Sequence, residues 1–150
     1  MTQTLDNFLT GAKSKEFATK AGTKMHAILQ RVVVDDTVGD AGDGDIVKII
    51  KSKPELMLFF GKNAKTEVPI AGRINGVFVS RRIDRLLLNH DTKTVWFVDY
   101  KTDLNKTEFV EKYKKQLNEY ATLLKSVYPD YVIKGYILWL CDWSTDKIIG

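Results

Sequence analysis

The spacing of apolar residues divides the chain at about Lys65. Before that point apolar positions recur at helical intervals. A segment around Lys13 to Lys20 and a second from Thr23, a candidate N-cap, to about Val34 read as helices. The glycine- and aspartate-rich VGDAGDGD reads as a flexible turn, and DIVKIIKSK and PELMLFF follow as short helices, the second with Pro54 at a permitted first-turn position. From Lys65 the period changes to two. TEVPIAG, NGVFVSRRIDRLLL and KTVWFVDYK are predicted as three successive strands, the last two joined by the polar turn NHDT. A long helix is expected from about Asn105 to Val127, with Phe109, Tyr113, Leu117, Tyr120, Leu124 and Val127 along one face. Pro129 and Asp130 stop it, and YVIKGYILWL reads as a final strand returning to the sheet. Helices, a three-strand meander, a helix and a strand predict an α/β (α+β) core covered by helices.

That pattern puts charge where a core strand ends. Val95, Trp96, Phe97 and Val98 form a buried β run, yet Asp99 and Lys101 follow on a single face. If the turn is symmetric about Asp91 and Thr92, Leu86 opposes Phe97, Leu88 opposes Val95 and Leu87 opposes Trp96, so apolar residues meet apolar residues. The same register sets Asp84 opposite Asp99. Two opposed carboxylates repel and need a positive partner. One reading is a site for a hard divalent cation, with Lys101 orienting a water or steadying phosphate charge. The other is a structural ion cluster in which Arg82 and Arg85 neutralise Asp84. On the residues alone both stand.

Length and composition narrow the setting. The 150 residues fit one domain, 1–150, able to bury about two thirds of its unfolded surface without disulfides. The single cysteine, Cys141, excludes an internal bridge and a four-cysteine metal or iron–sulfur site. No apolar run approaches the roughly 18 residues of a membrane span, and the first residues lack the apolar core of a secretory signal. The expectation is a cytoplasmic protein with no membrane partner. The net charge of +4 decides nothing by itself.

IDRLLL followed by VDYKT resembles the two halves of the PD-(D/E)xK nuclease signature, in the form carried by the nuclease domains of RecB and AddA that accompany recombination helicases. In those domains the strand pair follows a G-x-x-x-H helix, matched by GTKMH and His26. A glutamate before the strands is matched by Glu67 and a Q-x-x-x-Y helix by Gln116 and Tyr120. Five motifs recur in order between Gly22 and Tyr120; Ile83 stands where the signature has proline.

The resemblance implies a restriction-endonuclease-like fold with a central mixed sheet. It further implies a DNA phosphodiesterase in which His26, Asp84, Asp99 and the carbonyl of Tyr100 hold Mg²⁺, with Mn²⁺ also accommodated. Lys101 would act at the attacking water, and Glu67 would hydrogen-bond the lysine or a metal-bound water. With only Cys141, the likeness is to the branch without an iron–sulfur cluster. No G-x-x-x-x-G-K-[ST] phosphate loop is present, so a helicase motor is expected elsewhere in the same or a partner polypeptide. Gln116 and Tyr120, four apart on the helix, are assigned either to the DNA backbone or to bracing the strand that carries Asp99. Lys112, Lys114 and Lys115 offer non-specific phosphate contacts beside such a site, and His90 reads as a turn residue.

Overall fold

The computed structural model describes residues 22–150; the helix expected around Lys13 to Lys20 lies outside the described residues. The first helix, α1 (22–30), already includes Gly22, so Thr23 sits within it rather than capping it. It ends well before Val34. Two tight bonds, from Arg31 N–H to the Ile28 carbonyl and Val32 N–H to that of Leu29, close its last turn. The β-branched run Val32–Val34 then extends, with Val33 bridging Ala41 and Val34 bonding Phe60 O.

Two short helices follow, α2 (Gly44–Lys51) and α3 (Pro54–Phe60). The aspartates of VGDAGDGD serve this region structurally. Asp43 caps α2 by accepting from Asp45 and Ile46 N–H, and Asp40 pairs with Lys51. The segment expected as a flexible turn is thus pinned at both ends.

The rest is β1 (Lys65–Ile74), β2 (Val77–Asn89), β3 (Thr94–Lys101), α4 (Lys106–Val127), β4 (Val132–Trp139) and β5 (Ser144–Ile149). Asn105 caps α4 by accepting from Glu108 N–H. The five strands pair in sequence order; β3 and β4 run parallel and every other pair is antiparallel. A parallel pair needs a long crossover, which the 22 residues of α4 provide. β5 escaped the sequence reading: STDKII is short and mostly polar, and it is held by pairing with β4 and by Trp139 Nε1–H donating to Asp146 (2.8 Å).

The sheet carries a core on each face. On one side α1, α2 and α3 pack Leu29, Ile50, Leu56, Phe59 and Phe60 against Val98, Tyr100 and Leu138. On the other, α4 packs Leu117, Tyr120, Leu123 and Leu124 against Ile83, Leu86, Val95, Phe97 and Ile137. Each buried leucine of α4 contributes roughly 2 kcal/mol. Val127, expected on this stripe, is exposed because it is the last residue of α4 and lies beyond the sheet. Phe97 lies flat over its parallel neighbour Gly135, where any Cβ would come within 2.4 Å of the ring.

A candidate metal centre at the ends of β2 and β3

The register expected between β2 and β3 is the one present: Leu86 opposes Phe97, Leu87 opposes Trp96 and Leu88 opposes Val95. The ladder ends at Arg85 and Val98, so Asp84 and Asp99 are the next pair beyond the last bonded one. Both are buried.

Asp84 sits where β2 turns itself over. Ile83 belongs to the core under α4, whereas Arg85 reaches the backbone of α1 and α3 on the opposite side. In a regular pleat residues two apart share a face. Across from Asp84, the β1 ladder omits Glu67, which pairs neither side and adopts a left-handed backbone (φ +51°). An L-residue held there is strained, and the strain coincides with the point where β1 and β2 change faces.

At that point Asp84 Oδ2 accepts the Tyr100 N–H (2.8 Å) and lies 3.3 Å from His26 Nε2. His26 Nδ1 is 2.7 Å from the Gly22 carbonyl. Since a carbonyl only accepts, Nδ1 carries a hydrogen, and the neutral ring would present its Nε2 lone pair to the site. The hydrogen bond to Asp84 raises the His26 pKa to about 9, against the opposing effect of burial. Burial works against the Asp84 carboxylate, but hydrogen bonds from His26 and the Tyr100 N–H outweigh it and hold its pKa low.

Asp99 is in the opposite condition. Burial first, and the neighbouring Asp84 charge second, push its pKa up to about 7. Lys101 Nζ pairs with Asp99 Oδ2 at 2.8 Å and opposes that rise, and the Asp84 carboxyl meets Asp99 from the other side. Lys101 is itself fixed: it donates to Gln116 Oε1 (2.8 Å) and lies over the Tyr113 ring at 4.2 Å. Gln116 Nε2–H in turn donates to Tyr120 OH (2.8 Å). Of the two roles expected for Gln116 and Tyr120, the observed bonds are those of bracing, directed at Lys101 rather than outward.

Three expectations need correction. Arg82 does not neutralise Asp84; it pairs with Glu67 at 3.8 Å. Glu67 consequently does not hydrogen-bond Lys101, whose donors are taken by Asp99 and Gln116. Arg85 faces away from Asp84 altogether because β2 turns over between them.

Arg85 is the residue whose position the sequence did not reveal. Fully buried, it donates to Tyr100 OH (2.8 Å), Phe59 O (3.0 Å), Leu29 O (2.7 Å) and Val32 O (3.1 Å), and stacks on Phe60 at 4.1 Å. No acid is among these partners. Its guanidinium collects the Leu29 carbonyl near the end of α1, the Val32 carbonyl just beyond it and the Phe59 carbonyl at the end of α3, and ties the helix bearing His26 to Tyr100. A charged residue inside the apolar alternation of RRIDRLLL is the only trace of this in the chain.

The site thus joins His26, Asp84, Asp99 and Lys101, with Gln116 and Tyr120 behind the lysine and Glu67 at the margin. Two carboxylates, an imidazole and the Tyr100 carbonyl are a donor set that suits a hard or borderline divalent cation, and a cation there would relieve the opposed charges of Asp84 and Asp99. As the side chains stand, they pair with one another: among the described residues no three His, Cys, Asp or Glu side chains converge on one point. Among the same residues no helix is long and apolar enough to cross a membrane. No family model matches the chain, and no curated protein matches it in sequence.

Proposed function

We propose that the chain is a metal-dependent deoxyribonuclease domain of the PD-(D/E)xK type, with a restriction-endonuclease-like core, working beside a helicase motor in the same or a partner polypeptide. One observation carries the reading: a buried, mutually repelling pair of carboxylates from adjacent strands is met by a half-buried lysine that is held by Asp99, Gln116 and Tyr113.

His26, Asp84, Asp99 and the Tyr100 carbonyl would hold Mg²⁺ or Mn²⁺. Bound there, the ion supplies Lewis-acid polarisation of the scissile phosphate and a more acidic water. Lys101, immobilised between α4 and β3, aims its remaining N–H at the attacking water or a non-bridging phosphate oxygen. Water adds to phosphorus and gives up a proton to solvent, the P–O bond to the departing sugar breaks, and that oxygen takes up a proton from solvent, leaving a phosphate monoester and a hydroxyl end. Asp99, near neutrality in the metal-free protein, has to release its proton before it can ligate.

A second reading is an inactive nuclease-fold module that binds DNA or docks a repair complex, favoured by the pairing of His26 with Asp84 and of Lys101 with Asp99. End-labelled DNA incubated with the purified chain and Mg²⁺ or Mn²⁺ separates the two. Cleavage by the wild type that is lost in Asp99→Ala supports the nuclease; no cleavage under either metal leaves the module.

A further inference from the structure

Beyond its last pair with β3, β2 continues with β1 as a two-stranded hairpin that projects past the sheet. One face of this hairpin turns to α4: Ile70, Ile74, Val79 and Ile83 join that core and a Cβ on Gly72 would touch Leu123 at 3.0 Å, while Val77 at the tip stays exposed. The other face is open. It pairs Pro69 with Arg82, Ala71 with Ser80 and Arg73 with Phe78, and all six are exposed. This is the side of the sheet to which α1 brings His26, so the face runs from the Asp84–His26 contact outward to the turn at Asn75 and Gly76. Its length from Asp84 to Phe78 is about 20 Å.

The chemistry of this face is selective. Its middle is made of small residues, with Arg82 near the site, 3.8 Å from Glu67, and Arg73 at the tip, one N–H of which donates to the Gly76 carbonyl (3.1 Å) while the rest of its fork stays exposed. Phe78 is 65% exposed at the tip, beside Arg73. At the tip both Val77 and Phe78 stay in water, and of the two only Phe78 lies beside a guanidinium. A phosphate chain with separable flat bases matches each feature: arginines for the backbone, small residues for close approach, an aromatic ring for a base. Stacking on Phe78 requires an unstacked base.

We propose that this hairpin face is a docking track for single-stranded DNA, with Phe78 stacking a base about 20 Å from the metal centre and Arg73 and Arg82 holding phosphates between. The inference rests on the nuclease reading of the site and specifies the form of its substrate.

Fluorescence anisotropy of a labelled oligothymidylate, and of a duplex of equal length, in EDTA, tests it with the full chain as wild type, Phe78→Ala and Arg73→Ala. Phe78→Ala is expected to weaken the oligothymidylate about tenfold and leave the duplex nearly unchanged. Arg73→Ala should weaken both and lower the salt slope by about one. Wild-type chain that does not bind the oligothymidylate, or variants that bind it as the wild type does, would overturn the proposal. Equal losses on duplex and single strand in Phe78→Ala would overturn the single-strand assignment. Hydrolysis of bis(p-nitrophenyl) phosphate with Mn²⁺ keeps the two readings apart, because this small diester cannot reach the hairpin. Hydrolysis by wild type and Phe78→Ala alike, with unresponsive oligothymidylate binding, sinks the track alone. Absent hydrolysis and DNA cleavage sink the nuclease reading, while the anisotropy still judges the track.

Discussion

Each face of the sheet buries a cation, and the two could hardly be treated more differently. Lys101, on the side of α4, keeps a carboxylate beside it, an aromatic ring beneath it and part of its surface in water. Arg85, on the side of α1 and α3, has no carboxylate and is sealed from solvent, its charge spread over three backbone carbonyls, a phenol and a ring. An ammonium is a point charge that a reacting oxygen can use; a guanidinium is a rigid fork that can satisfy several fixed acceptors at once. Burial alone therefore does not mark a functional charge. What separates the two is the partner: Lys101 faces a carboxylate whose charge is opposed by burial and by Asp84, whereas Arg85 faces only neutral acceptors.

If the comparison is right, removing the two cations should damage different properties. The largest effect belongs to Lys101→Met, expected to slow DNA cleavage by about 10³-fold, roughly 4 kcal/mol of barrier, while the melting temperature barely moves. Cleavage within a few-fold of wild type would make Lys101 as structural as Arg85.

Arg85→Met should do the reverse. It strands the carbonyls of Val32 and Phe59 in the core and takes one of two donors from Leu29 O, and urea unfolding should show a loss of about 3 kcal/mol. Because Arg85 also ties α1 to Tyr100, Mn²⁺ affinity measured calorimetrically under folding conditions should fall with it, as it would for His26→Ala. Arg85→Lys should not rescue either property, since one ammonium cannot reach four acceptors.

A smaller effect sharpens the role of the lysine's brace. Gln116→Leu with Tyr120→Phe leaves Lys101 tethered only to Asp99 and the Tyr113 ring, and turnover should drop about tenfold, roughly 1.4 kcal/mol, with DNA affinity unchanged. Weakened DNA binding at constant turnover would instead point these side chains at the nucleic acid.

The smallest effect is a pH slope. The folded protein holds protons that the unfolded chain releases, on Asp99 up to about pH 7 and on His26 up to about pH 9. The native state is then the more protonated one, so the stability of the metal-free chain should fall as pH rises across this range. Thermal melts in EDTA should show this decline. Asp99→Asn should flatten its lower part and His26→Gln its upper part. Cation affinity should run the other way, rising with pH as the same groups lose their protons.

Much of the molecule was legible along the chain. Period-two alternation located β1 to β4, helical spacing located α2, α3 and α4, and the match of apolar partners fixed the β2–β3 register, and with it the adjacency of Asp84 and Asp99. Such features depend on local periodicity and on neighbours across one short turn, which a sequence records directly. The resemblance to a nuclease signature added His26, Glu67, Gln116 and Tyr120; in the folded chain His26 meets Asp84, Gln116 and Tyr120 stand behind Lys101, and Glu67 pairs with Arg82.

What only the tertiary structure decided are the facts that hang on a break in regularity or on distant acceptors. Alternation implies that Ile83 and Arg85 share a face; the strained Glu67 across the ladder coincides with β2 turning over, and that reversal sends Arg85 to one core and frees Asp84 to meet His26. The weak, polar β5 exists because β4 offers an edge and Trp139 needs an acceptor. Periodicity describes an element in isolation, while a kink, a buried guanidinium and an edge strand are each stabilised by groups far away in sequence, so their reasons are present only once the chain has folded.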